Sequence, residues 1–380
     1  MEIYHFSGAG NDFVVIDGRE GDVSAFREVP RIEALCKQYK TDGLMILGMP
    51  GQAGHDEKTQ AGHEGKAKAG SDVMADSDRP SVDFTMEFYN PDGSGGMMCG
   101  NGGRCIVAFA DYLGIRPSSG GVFLFMAPDG LHTGEILERL DGSTGSPTDR
   151  WIVRIKMIDV QGITPMLGGY FLNTGTRHFV KFVEDVEQVD VDAEGKALRW
   201  NEAFAPVGTN VNFVHVAPDG LHVRTFETGV EGETLACGTG LTASAIAAYE
   251  ISRLRPSGSA RNDKNPFETE RSTRAGGNDP VISTKSDGQT PVISTKSDGQ
   301  PPVVSTKAGG NNPVISTKAG DNNPVISTKA EGRVEKSYRL RARQDWLSVD
   351  FTPGPDDTFT DVYLTGPARL IGIQEGSARG

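Results

Sequence analysis

The pattern Cys-Gly-X-Gly occurs at two distant places, as Cys99-Gly100-Asn101-Gly102 and as Cys237-Gly238-Thr239-Gly240. Each time it opens a small-residue, apolar segment that reads as a buried helix. Arg104 to Leu113 is apolar nearly all round and ends at Gly114, a fitting C-cap. Leu241 to Leu254 is Ala-rich, carries Arg253 and Arg255 at its end and stops at Pro256. Both cysteines then stand at helix N-termini. The unpaired N–H groups of a first helical turn bind an anion such as a carboxylate, and the glycines let a ligand approach the backbone closely. The same partial positive charge is expected to lower a thiol's pKa and favour the thiolate.

A substrate carboxylate held by two facing helix ends would place its α-carbon between two sulfurs. One thiolate could remove the α-proton while the opposite thiol delivers one, which inverts the stereocentre without any cofactor. Backbone dipoles aimed at the carboxylate would stabilise the charge that develops there. Cys36 and Cys105 lie inside apolar helical patterns without flanking glycines, and read as small buried hydrophobes. Metal binding fits poorly. Five residues separate Cys99 from Cys105, against two to four in common zinc spacings, and no His follows nearby.

The elements that must position these thiols are mostly strands. Ile3 to Asp17 reads as strand, turn, strand about Gly8-Ala9-Gly10-Asn11-Asp12; Pro30 to Tyr39 as a short helix; Leu44 to Leu47 and Val82 to Tyr89 as strands. Strand-like runs separated by turns follow from Val122 to Val216, and return from Lys336 to the end of the chain. Residues 50–80 are rich in Gly, Ala, Lys, Asp and Glu with almost no large apolar groups, a composition expected to leave an insert disordered. Residues 256–332 hold a repeat: Pro-Val-(Ile/Val)-Ser-Thr-Lys begins at Pro280, Pro291, Pro302, Pro313 and Pro324, a period of 11. A Pro in every repeat rules out a helical supercoil. The composition favours a flexible low-complexity insert, and the sharper alternative is an extended appendage that recruits a partner by edge pairing.

With 380 residues the chain suffices for two domains besides this extra material. A net charge of -13, with 51 acidic against 38 basic residues, argues against nucleic acid as a partner. No stretch approaches the ~20 apolar residues of a membrane span, and Met1 to Arg19 does not read as a secretory signal. Four cysteines are too few for a disulfide scaffold, so a cytoplasmic protein with free thiols is expected.

Several segments together resemble the diaminopimelate epimerase family. They are Gly8-Ala9-Gly10-Asn11-Asp12-Phe13, Phe88-Tyr89-Asn90-Pro91-Asp92-Gly93-Ser94, Met98-Cys99-Gly100-Asn101-Gly102-Gly103-Arg104-Cys105, Gly208-Thr209-Asn210-Val211-Asn212-Phe213, Gly232-Glu233-Thr234-Leu235-Ala236-Cys237-Gly238-Thr239-Gly240 and Tyr363-Leu364-Thr365-Gly366-Pro367-Ala368. The resemblance implies an α+β fold of two similar strand-rich barrel domains, each wrapped around a central helix, with the active site in the cleft between them. Residues 1–127 plus 366–380 would form the first domain and 128–365 the second. It also implies a cofactor-independent, two-base interconversion of LL- and meso-diaminopimelate on a small amino-acid substrate, with Cys99 and Cys237 as the catalytic pair. Asn11, Asn90 and Asn210 match substrate-binding asparagines, and the backbones of Gly100, Asn101, Gly238 and Thr239 match the carboxylate cradle. His178 and Glu227 match residues that tune the cysteines. Monomer and homodimer are both left open.

Three positions depart from the family pattern. Thr228 stands where a cation usually follows the glutamate, which removes a charge that would hold the distal carboxylate. Gly175-Thr176-Arg177-His178 replaces Gly-Asn-Pro-His, losing an amide at Thr176 but supplying at Arg177 a cation that could stand in for the missing one. The Gly-rich stretch before Asp42-Gly43 is shortened to Tyr39-Lys40-Thr41. The reading that follows is an active diaminopimelate epimerase. A related cysteine-pair racemase for another amino acid, or a catalytically weak binding protein using the repeat insert, are the alternatives.

Overall fold

The computed structural model describes residues 1–51, 81–140, 149–254 and 335–375 apart from 20, 97, 119 and 344, together with short backbone stretches within 281–327. The segments read as inserts, 50–80 and 256–332, therefore fall almost wholly outside the described residues.

The run Phe13-Val14-Val15-Ile16 is apolar without alternation because its strand is covered on both faces. Phe13 and Val15 enter one core, whereas Val14 and Ile16 enter another against Ile32 and Leu35. That strand, β2 (Asn11–Asp17), pairs with β1 (Glu2–Gly8) across a turn whose Ala9 and Gly10 both have positive φ, 58° and 92°. Helix α1 (Val29–Tyr39) carries the chain to β3 (Gly43–Gly48), parallel to β2, and β3 pairs antiparallel with β4 (Phe84–Tyr89). Helix α2 (Gly100–Tyr112) then leads to β5 (Val122–Ala127), parallel to β4. A meander through β6 (Gly130–Leu140) and β7 (Arg150–Lys156) completes this half.

The second half repeats that order. After the short β8 (Val160–Gln161) and β9 (Thr164–Met166), β10 (Gly169–Asn173) pairs antiparallel with β11 (Arg177–Val183). Helix α3 (Val191–Arg199) leads to β12 (Asn210–Ala217), parallel to β11, and β12 pairs antiparallel with β13 (Gly220–Glu227). A short β14 (Gly232–Thr234) precedes helix α4 (Gly238–Leu254). Within the repeats, β15 (Val281–Ile282) pairs with β16 (Val303–Val304), and β17 (Val314–Ser316) with β18 (Val325–Ser327). Strand β19 (Lys336–Ala342) lies parallel to β13, as β5 does to β4, and is followed antiparallel by β20 (Asp345–Pro353) and β21 (Thr358–Glu375).

Strand β21 belongs to both halves. Its first part pairs with β8 and β20; from Gly366 onward it pairs with β7 and then β1. The second part closes β1 to β7 into a barrel, so the fold is two strand-rich barrels sharing one long strand. One continuous core runs through both, from Cys105 to Ala110 of α2 and from Leu241 to Ala248 of α4. Each barrel is thus wrapped around a central helix, as the resemblance implied. A second layer covers each barrel outside: α1 on β1 to β3, and α3 with Phe204 on β11 to β13.

Helices α2 and α4 start at Gly100 and Gly238, earlier than the apolar pattern indicated. Residues with little side chain carry no periodic signal; the cap sets the start instead. Cys99 has extended backbone (φ -97°, ψ 149°), its carbonyl accepts from Gly103 N–H at 2.8 Å, and its sulfur accepts from Gly102 N–H. Gly114 ends α2 as expected, at φ 76° with Ile115 N–H donating to Ala110 O at 3.0 Å.

Candidate active site

The N-termini of the two central helices meet. A Cβ on Gly238 would lie 3.5 Å from Gly100 Cα and 2.9 Å from Leu364 Cδ2, and one on Gly100 would likewise lie 2.9 Å from Leu364. A methyl at either position would fit against the opposite helix but would collide with the end of the Leu364 side chain, which packs over both glycines. The glycines at the third helical position make room for different neighbours. A Cβ on Gly102 would stand 3.3 Å from Cys99 Sγ, and one on Gly240 would strike Asn212 Oδ1 at 2.3 Å. Gly102 N–H donates to Cys99 Sγ at 3.2 Å.

Asn101 ties the two ends together. Its amide donates to Asn11 Oδ1 and, at 3.0 Å, to the carbonyl of Ala236, the residue before Cys237. Its own oxygen accepts from Arg104 Nη2 at 2.8 Å. Asn11 is thereby drawn to the helix ends. Asn90 stands at the turn after β4, where its amide donates to Ser94 Oγ at 3.0 Å.

Around Cys237 the second half supplies a hydroxyl-rich wall. Thr239 Oγ1 lies 3.4 Å from Cys237 Sγ, 2.9 Å from His178 Nε2 and 3.1 Å from Thr176 Oγ1. Asn212 donates to His178 Nδ1 at 3.0 Å, and its oxygen accepts from Thr225 Oγ1 at 3.0 Å. These bonds assign the amide orientation and leave Nε2 as the protonated ring nitrogen. Full burial of His178 pushes its pKa down to about 3, so the ring is neutral near pH 7. Asn210 is held on all sides: its oxygen accepts from Thr228 N–H and Oγ1 at 2.8 and 2.9 Å, and its amide donates to Arg177 O and Thr176 Oγ1 at 3.1 and 3.3 Å.

Glu227, at the end of β13, lies beside Cys237 and acts on both thiols. Its carboxylate accepts from Thr234 Oγ1 at 2.5 Å, and burial raises its pKa. The thiols do not follow the expectation of a lowered pKa. Burial raises Cys99, against the Gly102 N–H and the Arg104 charge; burial and then the Glu227 charge raise Cys237 well above the ordinary value. The helix end acts in the expected direction, but withdrawal from water outweighs it. Cys99 is exposed as a residue although its thiol is turned into the site and withdrawn from water, whereas Cys237 is buried throughout. Cys36 and Cys105 are buried in the core, as read.

A family model described as diaminopimelate epimerase matches residues 170–298. The chain is 40% identical over 259 residues to diaminopimelate epimerase of Aquifex aeolicus, covering 66% of this chain and 81% of the relative. Enzymes of the same name from Chlorobaculum tepidum and Flavobacterium psychrophilum are each 36% identical, covering 66% and 65% of this chain and 84% and 81% of theirs. The chain belongs to the diaminopimelate epimerase family. It is an isomerase.

Within this family member, the expectation that Arg177 replaces the cation absent at Thr228 does not hold. Alternation along β11 turns Arg177 to the face opposite His178, where its guanidinium lies 5.3 Å from the Phe171 ring centroid in a cation–π contact. Thr228 instead anchors Asn210. Two residues important to the site's geometry were passed over in the sequence. Asn212 could have been found, because it lies two residues from Asn210 on one strand and so on the same face. Arg104 lies in the cysteine motif itself, but apolar periodicity hid it among helix residues. Among the described residues no helix is long and apolar enough to cross a membrane.

Proposed function

We propose that this chain interconverts LL- and meso-diaminopimelate by a cofactor-independent, two-base transfer at the α-carbon. The observation that carries the reading is the meeting of two cysteine-capped helix N-termini at Gly100 and Gly238. The first-turn N–H groups of Gly100, Asn101, Gly238 and Thr239 bind the α-carboxylate and stabilise the charge that builds on it as the α-proton leaves. One cysteine, as thiolate, takes that proton and becomes a thiol. The other gives its proton to the opposite face of the carbanion and becomes the thiolate. Glu227 and the His178–Thr239 pair set the proton affinity of Cys237. Asn11, Asn90, Thr176, Asn210 and Thr228 line the remainder of the substrate. The reaction belongs in the cytoplasm, where thiols stay reduced, and its product feeds lysine and peptidoglycan synthesis.

A second reading keeps the chemistry and changes the substrate. It is favoured by Thr228 together with the outward course of Arg177, which leave the distal carboxylate without the cation the family pattern would supply there.

Incubation with LL-diaminopimelate in deuterium oxide under reducing conditions tests both. Deuterium at the α-position with formation of the meso isomer is expected. Exchange into another amino acid but not diaminopimelate would transfer the assignment to the second reading. Cys99→Ala and Cys237→Ala should each lose roughly 10²–10⁴-fold in epimerisation; full turnover in either would refute the two-base assignment.

A further inference from the structure

Arg104 is fully buried, and among the described residues its guanidinium bonds to no carboxylate. It donates to Gly100 O at 3.1 Å, Asn101 Oδ1 at 2.8 Å and Pro367 O at 3.4 Å. Taking a cation out of water without a bonded counter-ion costs several kcal/mol. The corresponding helix end in the second barrel is held without a charge. The fifth residue after Cys237 is Thr242, the counterpart of Arg104 after Cys99. Thr242 Oγ1 donates to Gly238 O at 3.0 Å, the bond that Arg104 makes to Gly100 O. A neutral hydroxyl therefore makes this backbone bond in the second barrel; in the first, the guanidinium makes it, adds the bonds to Asn101 Oδ1 and Pro367 O, and brings a positive charge that none of these neutral acceptors balances.

Among the described residues, three ionisable groups act on this charge. Asp345 on β20 acts on it from a distance and is already bonded by Arg369 of β21. Cys105 is buried against the first hairpin, where a Cβ on Gly8 would lie 2.9 Å from its sulfur; burial raises it far beyond the ordinary range, with Asp12 adding to the rise. Cys99 remains, the residue immediately before Gly100, whose carbonyl the guanidinium bonds, with its sulfur held by Gly102 N–H in the same helical turn. On the other side of the site stands Glu227, whose negative charge acts more strongly on Cys237 and secondarily on Cys99.

We propose that Arg104 is a positioning residue for the proton transfer, the buried cation that makes Cys99 the member of the pair carrying the negative charge and leaves Cys237 as the thiol. This rests on reading the two cysteines as the acid–base pair. The isomer whose α-hydrogen faces Cys99 then meets an enzyme ready to react: the Cys99 thiolate takes the proton, and Cys237 supplies its own to the opposite face. After that turnover the charge sits on Cys237 beside Glu227, and proton exchange with water restores the starting state.

The test needs no substrate. In the full chain carrying Cys237→Ser, alkylation of Cys99 by iodoacetamide is followed against pH by mass spectrometry, with Arg104 intact, Arg104→Lys and Arg104→Met. Arg104→Met should raise the apparent pKa of Cys99 by about one unit or more, roughly tenfold less thiolate at a given pH below it, with Arg104→Lys recovering part of the shift. A purely structural role would not move this profile in a folded variant, and an unchanged profile in Arg104→Met overturns the proposal. Should Arg104→Met fail to fold, Cys237→Ser and Cys99→Ser are compared with Arg104 intact. Cys99 should ionise at lower pH than Cys237, and equal or reversed order overturns the proposal. If the thiols titrate in the expected order but diaminopimelate shows no exchange, the substrate reading fails and this one stands.

Discussion

Thr239 Oγ1 is the atom through which His178 reaches Cys237, lying 2.9 Å from Nε2 and 3.4 Å from the sulfur. With Asn212 fixing the tautomer, the neutral ring donates to the hydroxyl, and the hydroxyl is free to donate to sulfur. A hydrogen bond to a thiolate favours it over the thiol, so this chain offsets part of the burial and the Glu227 charge that hold Cys237 protonated. Thr239→Val keeps the shape and removes the bond. Turnover should fall by roughly 10–100-fold, below the full general acid–base contribution because the thiol itself remains, while Thr239→Ser retains most activity. Steady-state rates, with a thermal melt to show an intact fold, check this; full turnover in the valine variant would remove the relay from the mechanism. This arrangement was half legible in the sequence. Cys99 and Cys237 announced themselves by their repeated glycine context, but nothing local showed that Asn212 would choose the ring tautomer, or that Arg177 would turn outward.

Helix α2 and helix α4 carry their function at their first residues, where a sequence is hardest to read. The apolar pattern of α2 begins at Arg104, because Gly100, Gly102 and Gly103 present no side chains to pattern; the cap at Cys99 extends the helix back to Gly100. Helix α3 escaped reading for a related reason. Val191 and the half-buried Leu198 are the only large apolar residues on its packed face, and two residues seven apart leave a thin periodic signal, although Asp190 caps the helix by accepting from Ala193 N–H at 3.0 Å. The glycines at the helix starts make a sharper claim than the helices themselves. Gly238→Ala would place a methyl 2.9 Å from Leu364 Cδ2 and 3.5 Å from Gly100 Cα. The Gly100 approach is an ordinary contact, and the clash is with the end of Leu364, which is buried in the core and must move; overpacking of this kind costs about 1–3 kcal/mol and falls beside the carboxylate cradle. A lower denaturant midpoint and a turnover loss of at least tenfold are expected together. Normal kinetics in a merely destabilised protein would show that Leu364 takes up the methyl without moving the cradle.

At the scale of the whole molecule, the strand runs were legible and their closure was not. β21 reads as ordinary strand patterning, yet it pairs with β20 and β8 at one end and with β7 and β1 at the other, and such long-range pairing leaves no periodic mark in the sequence. The duplicated topology, once seen, gives the repeat segment a definite place. Residues 255–335 join α4 to β19, and the same connection in the first half, from α2 to β5, takes only residues 113–121. The barrel therefore closes geometrically with a short link at this point. If the long segment contributes no packing to the core, its replacement by a connection of the shorter length should stabilise the protein by at most about 2 kcal/mol, the difference in loop-closure entropy. Epimerisation should be unchanged, because both cysteine-capped helix ends lie at the opposite end of α4 from the joint. Denaturant unfolding and the deuterium-exchange assay on the shortened chain decide the matter. A fall in stability, or loss of exchange in a folded protein, would mean that the repeats pack against the barrel and have become part of the enzyme.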